Sequence, residues 1–129
     1  GTVILGLGGR DLWRAHIDGT IAVINAAPPA YLSTLQLRLD ETTAADFVDR
    51  FERDGTAFVP QDDEAVLVEL ERLIGGIDPP RPIVFRSNHA SNCLPLAGTL
   101  PEDRDPLLAT VAMARHGAPV MRPELLRGL

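Results

Sequence analysis

Thr2-Val3-Ile4-Leu5-Gly6-Leu7-Gly8-Gly9 opens the chain, and its reading decides the fold. Thr2 to Leu7 is an apolar, partly β-branched run without polar alternation, the pattern of a parallel strand buried on both faces, and Gly8-Gly9 ends it. Trp13, Ile17, Ile21 and Ile24 follow at spacings of four, four and three, one stripe of a helix from about Asp11 to Ala27. Pro28-Pro29 stops that helix. Tyr31 to Leu39 then alternates, with Leu32, Leu35, Leu37 and Leu39 apolar and Ser33, Gln36 and Arg38 polar, the pattern slipping once near Thr34. Strand, helix and strand in this order form a βαβ unit, whose strands pair in parallel through a right-handed crossover. The fold class expected is α/β.

Working outward, Phe47, Val48 and Phe51 lie on one side of a helix starting at Thr42 or Thr43 and ending at Gly55. A second helix starts around Asp62-Asp63-Glu64, whose acids suit the positive end of the helix dipole, and carries Leu67, Leu70, Ile74 and Ile77. Gly75 and Gly76 mark its fraying end. Asp78-Pro79-Pro80-Arg81-Pro82 is a stiff connector into a third short strand, Ile83-Val84-Phe85. Thr99-Leu100-Pro101-Glu102 reads as a capping box or a single turn. Asp105-Pro106 supplies a cap and first position for a last helix through Arg115, closed by Gly117. The expected division is residues 1–78, carrying the βα units, and residues 79–129, an extension with one further strand and helix.

The chain has 129 residues, 45% of them apolar and 23% charged, with a net charge of −6. That describes one ordinary domain able to bury a core without disulfides or metal. No apolar stretch reaches the about 18 residues of a membrane span, and no basic region leads into an apolar run at the start, so neither membrane nor signal peptide is expected. All 12 basic residues are arginine. Residues 40–78 hold 12 acids against Arg50, Arg53 and Arg72, a balance of −9, which argues against nucleic acid as a partner. The one cysteine, Cys93, cannot form an internal disulfide, and a reducing cytoplasm is the expected compartment.

Chemistry concentrates after the third strand. Arg86-Ser87-Asn88-His89-Ala90-Ser91-Asn92-Cys93 places seven polar or reactive side chains in eight residues, where α/β proteins carry their sites. Two readings of it stand. A loop rich in Asn and Ser bonds its own backbone, whereas a ligand-facing surface requires Ile83–Phe85 to run parallel to the first strand, so that the loop emerges beside Gly6-Leu7. Other motifs fail on pattern. Gly6-Leu7-Gly8-Gly9-Arg10 lacks the third glycine of a dinucleotide fingerprint and the lysine of a Walker loop. His89 and Cys93, with His16 and His116, match no zinc module, and neither Ser87 nor Ser91 sits in a nucleophile elbow.

Thr2-Val3-Ile4-Leu5-Gly6-Leu7-Gly8-Gly9, a helix carrying Asn25 before Pro29, Tyr31-Leu32-Ser33-Thr34-Leu35-Gln36-Leu37, and Ser87-Asn88-His89-Ala90-Ser91-Asn92 followed by Pro95-Leu96-Ala97-Gly98-Thr99-Leu100-Pro101 together resemble the C-terminal half of radical S-adenosylmethionine (radical SAM) proteins. The resemblance runs from residue 2 to about residue 116, and the Ser-Asn-His-Ala-Ser-Asn block with its tail is its specific part. It implies part of a (β/α)6 partial barrel, with Thr2–Leu7 as fifth strand and Tyr31–Leu39 as sixth. In that family the fifth strand carries G-x-I-x-G-x-x-E, which helps to seat the adenine of S-adenosylmethionine. Ile4 and Gly6 match, Thr2 and Gly9 replace the outer Gly and Glu, and Ile4, Gly6 and Leu7 are the cofactor contacts implied. Arg86, Ser87, Asn88, His89, Ser91 and Asn92 are the substrate-facing residues implied.

The family's three-cysteine CxxxCxxC segment, which holds a [4Fe–4S] cluster, is not in these 129 residues. The expectation is therefore a fragment of a larger Fe–S oxidoreductase-like enzyme, inactive by itself, with no cofactor of its own and a parent using S-adenosylmethionine and the cluster. Its partners would be the missing N-terminal half of the barrel and, failing that, a second copy in a two-fold dimer. The competing class is a stand-alone α/β binding or interaction module whose acidic middle docks a basic partner.

Overall fold

The structure is a computed structural model and describes residues 1–127. Its elements are β1 (Thr2–Leu5), α1 (Gly9–Ala26), β2 (Tyr31–Gln36), α2 (Ala44–Phe51) continued by a 3-10 turn (Glu52–Asp54), α3 (Asp63–Gly76), β3 (Ile83–Arg86), β4 (Ala97–Leu100), α4 (Arg104–Arg115) and a 3-10 turn (Glu124–Leu126). The strands form one open four-stranded sheet in the order β1-β2-β3-β4. β1 and β2 pair in parallel, as do β2 and β3, and β4 returns antiparallel to β3. The fold is mixed α/β with no closed barrel.

Both crossovers carry helices to the same face. Val3, Leu5, Leu32, Ile83, Phe85 and Leu100 point there and form one core with Ile17 and Ile24 of α1, Leu67, Leu70, Leu73 and Ile74 of α3, and Leu107 and Val111 of α4. α3 lies between α1 and α4 and touches both. Among the described residues no helix covers the opposite face. Thr2, Tyr31, Arg86 and Ala97 are exposed there, and Ile4, Ser33, Leu35, Val84 and Thr99 only half-buried. Parallel sheets normally bury both faces. One-sided cover is therefore the feature of this fold that asks for an explanation.

Several boundaries differ from expectation. β1 ends at Leu5, because Gly6 takes φ +84° and turns the chain into α1. β2 ends at Gln36, whose main chain meets a side chain instead of another strand. α3 continues through Gly75 and Gly76, and Gly76 abuts Ile21 so closely that a methyl group would sit 2.6 Å from its side chain.

The larger correction concerns Thr99-Leu100, read as the start of a capping box or a single turn, which with Ala97 and Gly98 form β4, so that two strands follow the Pro-rich connector. Gly98 makes this possible, since an added Cβ would lie 3.0 Å from Asp103 and 3.3 Å from Leu107, the helix that covers the strand. α4 accordingly starts at Arg104, before the expected Asp105-Pro106, and the Asp103 carboxylate accepts the Thr99 N–H at 2.7 Å. Phe58 meets Phe47 and Phe51 edge to face, and those two rings stack, in a separate cluster outside the main core. Gly9 lies against Phe58, at φ +62° and with no space for a side chain.

Candidate functional site

The C-terminal ends of β1, β2 and β3 lie together, because all three strands run in one direction. The Arg86–Cys93 loop therefore leaves the sheet at the same end as Gly6-Leu7, where open α/β sheets place ligands. Ser87 and Leu96 exchange main-chain bonds, Ser87 N to Leu96 O at 2.8 Å and Leu96 N to Ser87 O at 3.2 Å, and so close the base of the loop.

Inside the loop one side chain does a strand's work. Asn92 stands beside the end of β2, where its Oδ1 accepts the Gln36 N–H at 2.7 Å and its Nδ2 donates to the Thr34 carbonyl at 2.8 Å. These are the two bonds that a neighbouring backbone would supply, so the amide prolongs the ladder. Nδ2 also donates to Ser87 Oγ at 3.1 Å, and Thr34 Oγ1 donates to the same oxygen at 2.6 Å. Gln36 completes the network, its Oε1 accepting Cys93 N–H at 3.0 Å and its Nε2 donating to Asp63 at 3.1 Å.

The six loop residues singled out in sequence thus divide. Ser87, Ser91 and Asn92 are buried and bind the protein itself, whereas Arg86, Asn88 and His89 are exposed. His89 accepts the Ser91 N–H at Nδ1, 3.1 Å away, with Ser91 Oγ 2.8 Å from the same nitrogen. Arg86 folds back onto the Phe85 carbonyl at 2.8 Å and the Gly98 carbonyl at 3.3 Å on the open face. Of the three β1 positions, Ile4 lies half-buried on the open face and Leu7 is half-buried beyond the strand. Gly6 is buried, and its N–H is already taken.

The acceptor is Glu69, at 2.8 Å, a residue the sequence reading passed over. Its carboxylate is fully buried and also accepts from Gln61 Nε2 at 3.0 Å. Burial pushes its pKa up, against the two hydrogen bonds and the nearby His16. A signal for it existed. Val66, Glu69 and Leu73 follow helical spacing, so a carboxylate interrupts an otherwise apolar stripe. Glu69 ties α3 to the β1–α1 turn.

Beside this turn is a cleft of about 240 Å³ lined by Gly6, Leu37, Leu39, Phe58, Pro60 and Gln61. A larger groove of about 600 Å³ lies between the free edge of β1 and α1, lined by Thr2, Val3, His16, Thr20 and Val23. The first has the position of a ligand site. The second has that of a packing surface. Cys93 is buried, and burial followed by the charge of Asp63 pushes its thiol up to about 11, so it is no ready nucleophile or metal ligand. Comparison of the chain with known protein families, curated proteins and solved structures finds no match.

Proposed function

We propose that this chain is a wall segment of a radical SAM enzyme's barrel, with β1 and β2 as its fifth and sixth strands and the loop after β3 at the mouth. The observation that carries the reading is one-sided cover: three parallel strands in sequential order with an antiparallel β4 beyond them, the core helices on one face and the other face open. A barrel wall has this cross-section, since its inner face is covered only when the remaining strands close the ring. The Ser-Asn-His-Ala-Ser-Asn loop leaves the sheet at the same end as Gly6-Leu7, with β2 between them, and this supports the same reading.

A [4Fe–4S] cluster does not fit the residues present. Cys93 is a single thiol, buried beneath the loop, and three more thiolates would be needed in the usual four-cysteine site. Three cysteines of the N-terminal half would have to hold it, and S-adenosylmethionine would supply the radical chemistry there. What this chain contributes is shape. Ile4 and Leu7 offer apolar surface for an adenine, while Asn88 and His89 are the exposed loop side chains that would face a substrate, joined by Arg86 once it leaves the Phe85 and Gly98 carbonyls. By itself the chain is inactive in this reading, resides in a reducing cytoplasm, and covers its open edge with the barrel's other half or with a second copy. No helix among the described residues is long and apolar enough to cross a membrane.

The test is the reading frame preceding the Gly1 codon. A CxxxCxxC segment in frame, and a stoichiometric cluster on the longer chain after anaerobic reconstitution with iron and sulfide, are the expected results. A frame lacking that segment, or a stable cluster on the isolated 129 residues, would overturn the proposal. A strictly monomeric mass without hydrophobic-dye binding favours a stand-alone module that covers its own face.

A further inference from the structure

After α4 the chain turns back across the 87–93 loop. Val120 and Met121 pack half-buried against the core, and Arg122 then engages the loop twice. Its N–H donates to the Cys93 carbonyl at 2.6 Å, and its Nη1 donates to the His89 carbonyl at 2.7 Å. Five residues on, Arg127 donates through Nε to the Arg122 carbonyl at 3.0 Å and grips Asp63 at the start of α3 with both terminal nitrogens, at 2.8 and 2.7 Å. The Arg127 side chain is only 7% exposed.

Between these fastenings the segment buries almost nothing. Pro123 and Glu124 are exposed, Leu125 is 98% exposed and Leu126 72%. Polar contacts at two points, and no core of its own, hold it down. Segments of this kind open at a smaller free-energy cost than the whole domain. Beneath it lie the His89 and Asn92 carbonyls and Cys93, which is 1% exposed.

We propose that residues 122–127 are a releasable strap over the 87–93 loop, closed by the Arg127–Asp63 ion pair and by the Arg122 grip on the loop carbonyls, with Val120 and Met121 staying packed on the core. Its opening bares the loop main chain and Cys93 while the sheet and helices stay folded. The Asn92 network holds the loop from within, and the strap holds it from outside, so the strap is the part that moves first. This device is independent of the barrel reading.

Cys93, the one cysteine, reports the motion. Its labelling by a thiol reagent is measured across urea concentrations below the unfolding transition, beside global unfolding followed by circular dichroism. The expected result is a labelling free energy smaller than that of global unfolding and nearly independent of urea, since little surface is exposed on opening. Arg127→Gln and Arg122→Gln each speed labelling by about tenfold, the effect of losing a charge-assisted bond, while keeping the shallow urea dependence. Arg50→Gln, which removes an exposed pair with Asp46 on α2, leaves labelling at the wild-type rate.

Hydrogen exchange of the wild-type chain gives a readout that needs no variant. The Arg122 amide, bonded to the Cys93 carbonyl, should exchange well ahead of those of Leu73 and Val111. Labelling with the full urea slope of global unfolding, or exchange of the Arg122 amide only together with the core, would overturn the strap.

Discussion

Replacing Asn92 by alanine removes the side chain that extends the β2 ladder, and its cost follows from the bonds it leaves open. The Gln36 N–H and the Thr34 carbonyl, paired at 2.7 and 2.8 Å, both lose their partner. Ser87 Oγ keeps the Thr34 hydroxyl as a donor and loses only a secondary bond. An orphaned buried polar group costs about 1–3 kcal/mol. Because the network stands at the C-terminal end of the sheet, where water enters once the amide is gone, the lower half of that range applies to each group. The sum is about 3 kcal/mol, a fall of about 10 °C in Tm for a domain of this size.

Urea and thermal unfolding of Asn92→Ala measure it, with Asn88→Ala as the partner experiment. Asn88 is exposed on the same loop and should change stability by less than about 0.5 kcal/mol. Asn92→Asp sharpens the argument. It keeps the acceptor for Gln36 N–H but turns a charged oxygen toward the Thr34 carbonyl, so it is destabilised at neutral pH and recovers in acid, when the protonated carboxyl donates again. An Asn92→Ala midpoint within about 0.5 kcal/mol of wild type, or equal losses at positions 88 and 92, would refute the network as the loop's anchor.

Two glycines should respond in opposite ways. Gly9→Ala forces a methyl group against Phe58 and the Val59 carbonyl at 3.0 Å in a left-handed backbone, at a cost of about 2 kcal/mol or more by urea unfolding. Gly19→Ala, inside α1 with nothing within 4 Å, should stabilise by about 0.5–1 kcal/mol. For Glu69 the sign follows from its raised pKa: the folded state holds the proton to higher pH than the unfolded chain does, so the carboxyl weakens the fold as pH rises through the folded value. Urea midpoints of Glu69→Gln should therefore gain on wild type from acid to alkaline pH. Glu69→Leu, which orphans the Gly6 N–H, should lose at every pH.

Much of the fold was legible because it is written in local periodicity. The β1–α1–β2 unit, the apolar stripe of α3 and the third strand all follow from residues within a few turns of one another. β4 was not legible. Ala97-Gly98-Thr99-Leu100 has neither alternation nor an apolar run, and becomes a strand only because β3 offers a ladder and Gly98 lets α4 approach. The loop shows the same limit. Its composition marked it, yet Ser87 and Asn92 turn inward because Thr34 and Gln36, more than fifty residues earlier, stand there with bonds to share.

The sequence by itself therefore determined the α/β class, the parallel pairing of the first two strands and the place where polar side chains gather. These depend on periods and short-range steric preferences that any segment carries with it. Tertiary structure alone decided that the core helices share one face, that Glu69 fastens the β1–α1 turn and Asn92 the 87–93 loop from within, and that Arg122 and Arg127 bond across that loop. A buried polar group needs a partner, and which partner it finds depends on residues that only the folded chain brings within hydrogen-bond reach.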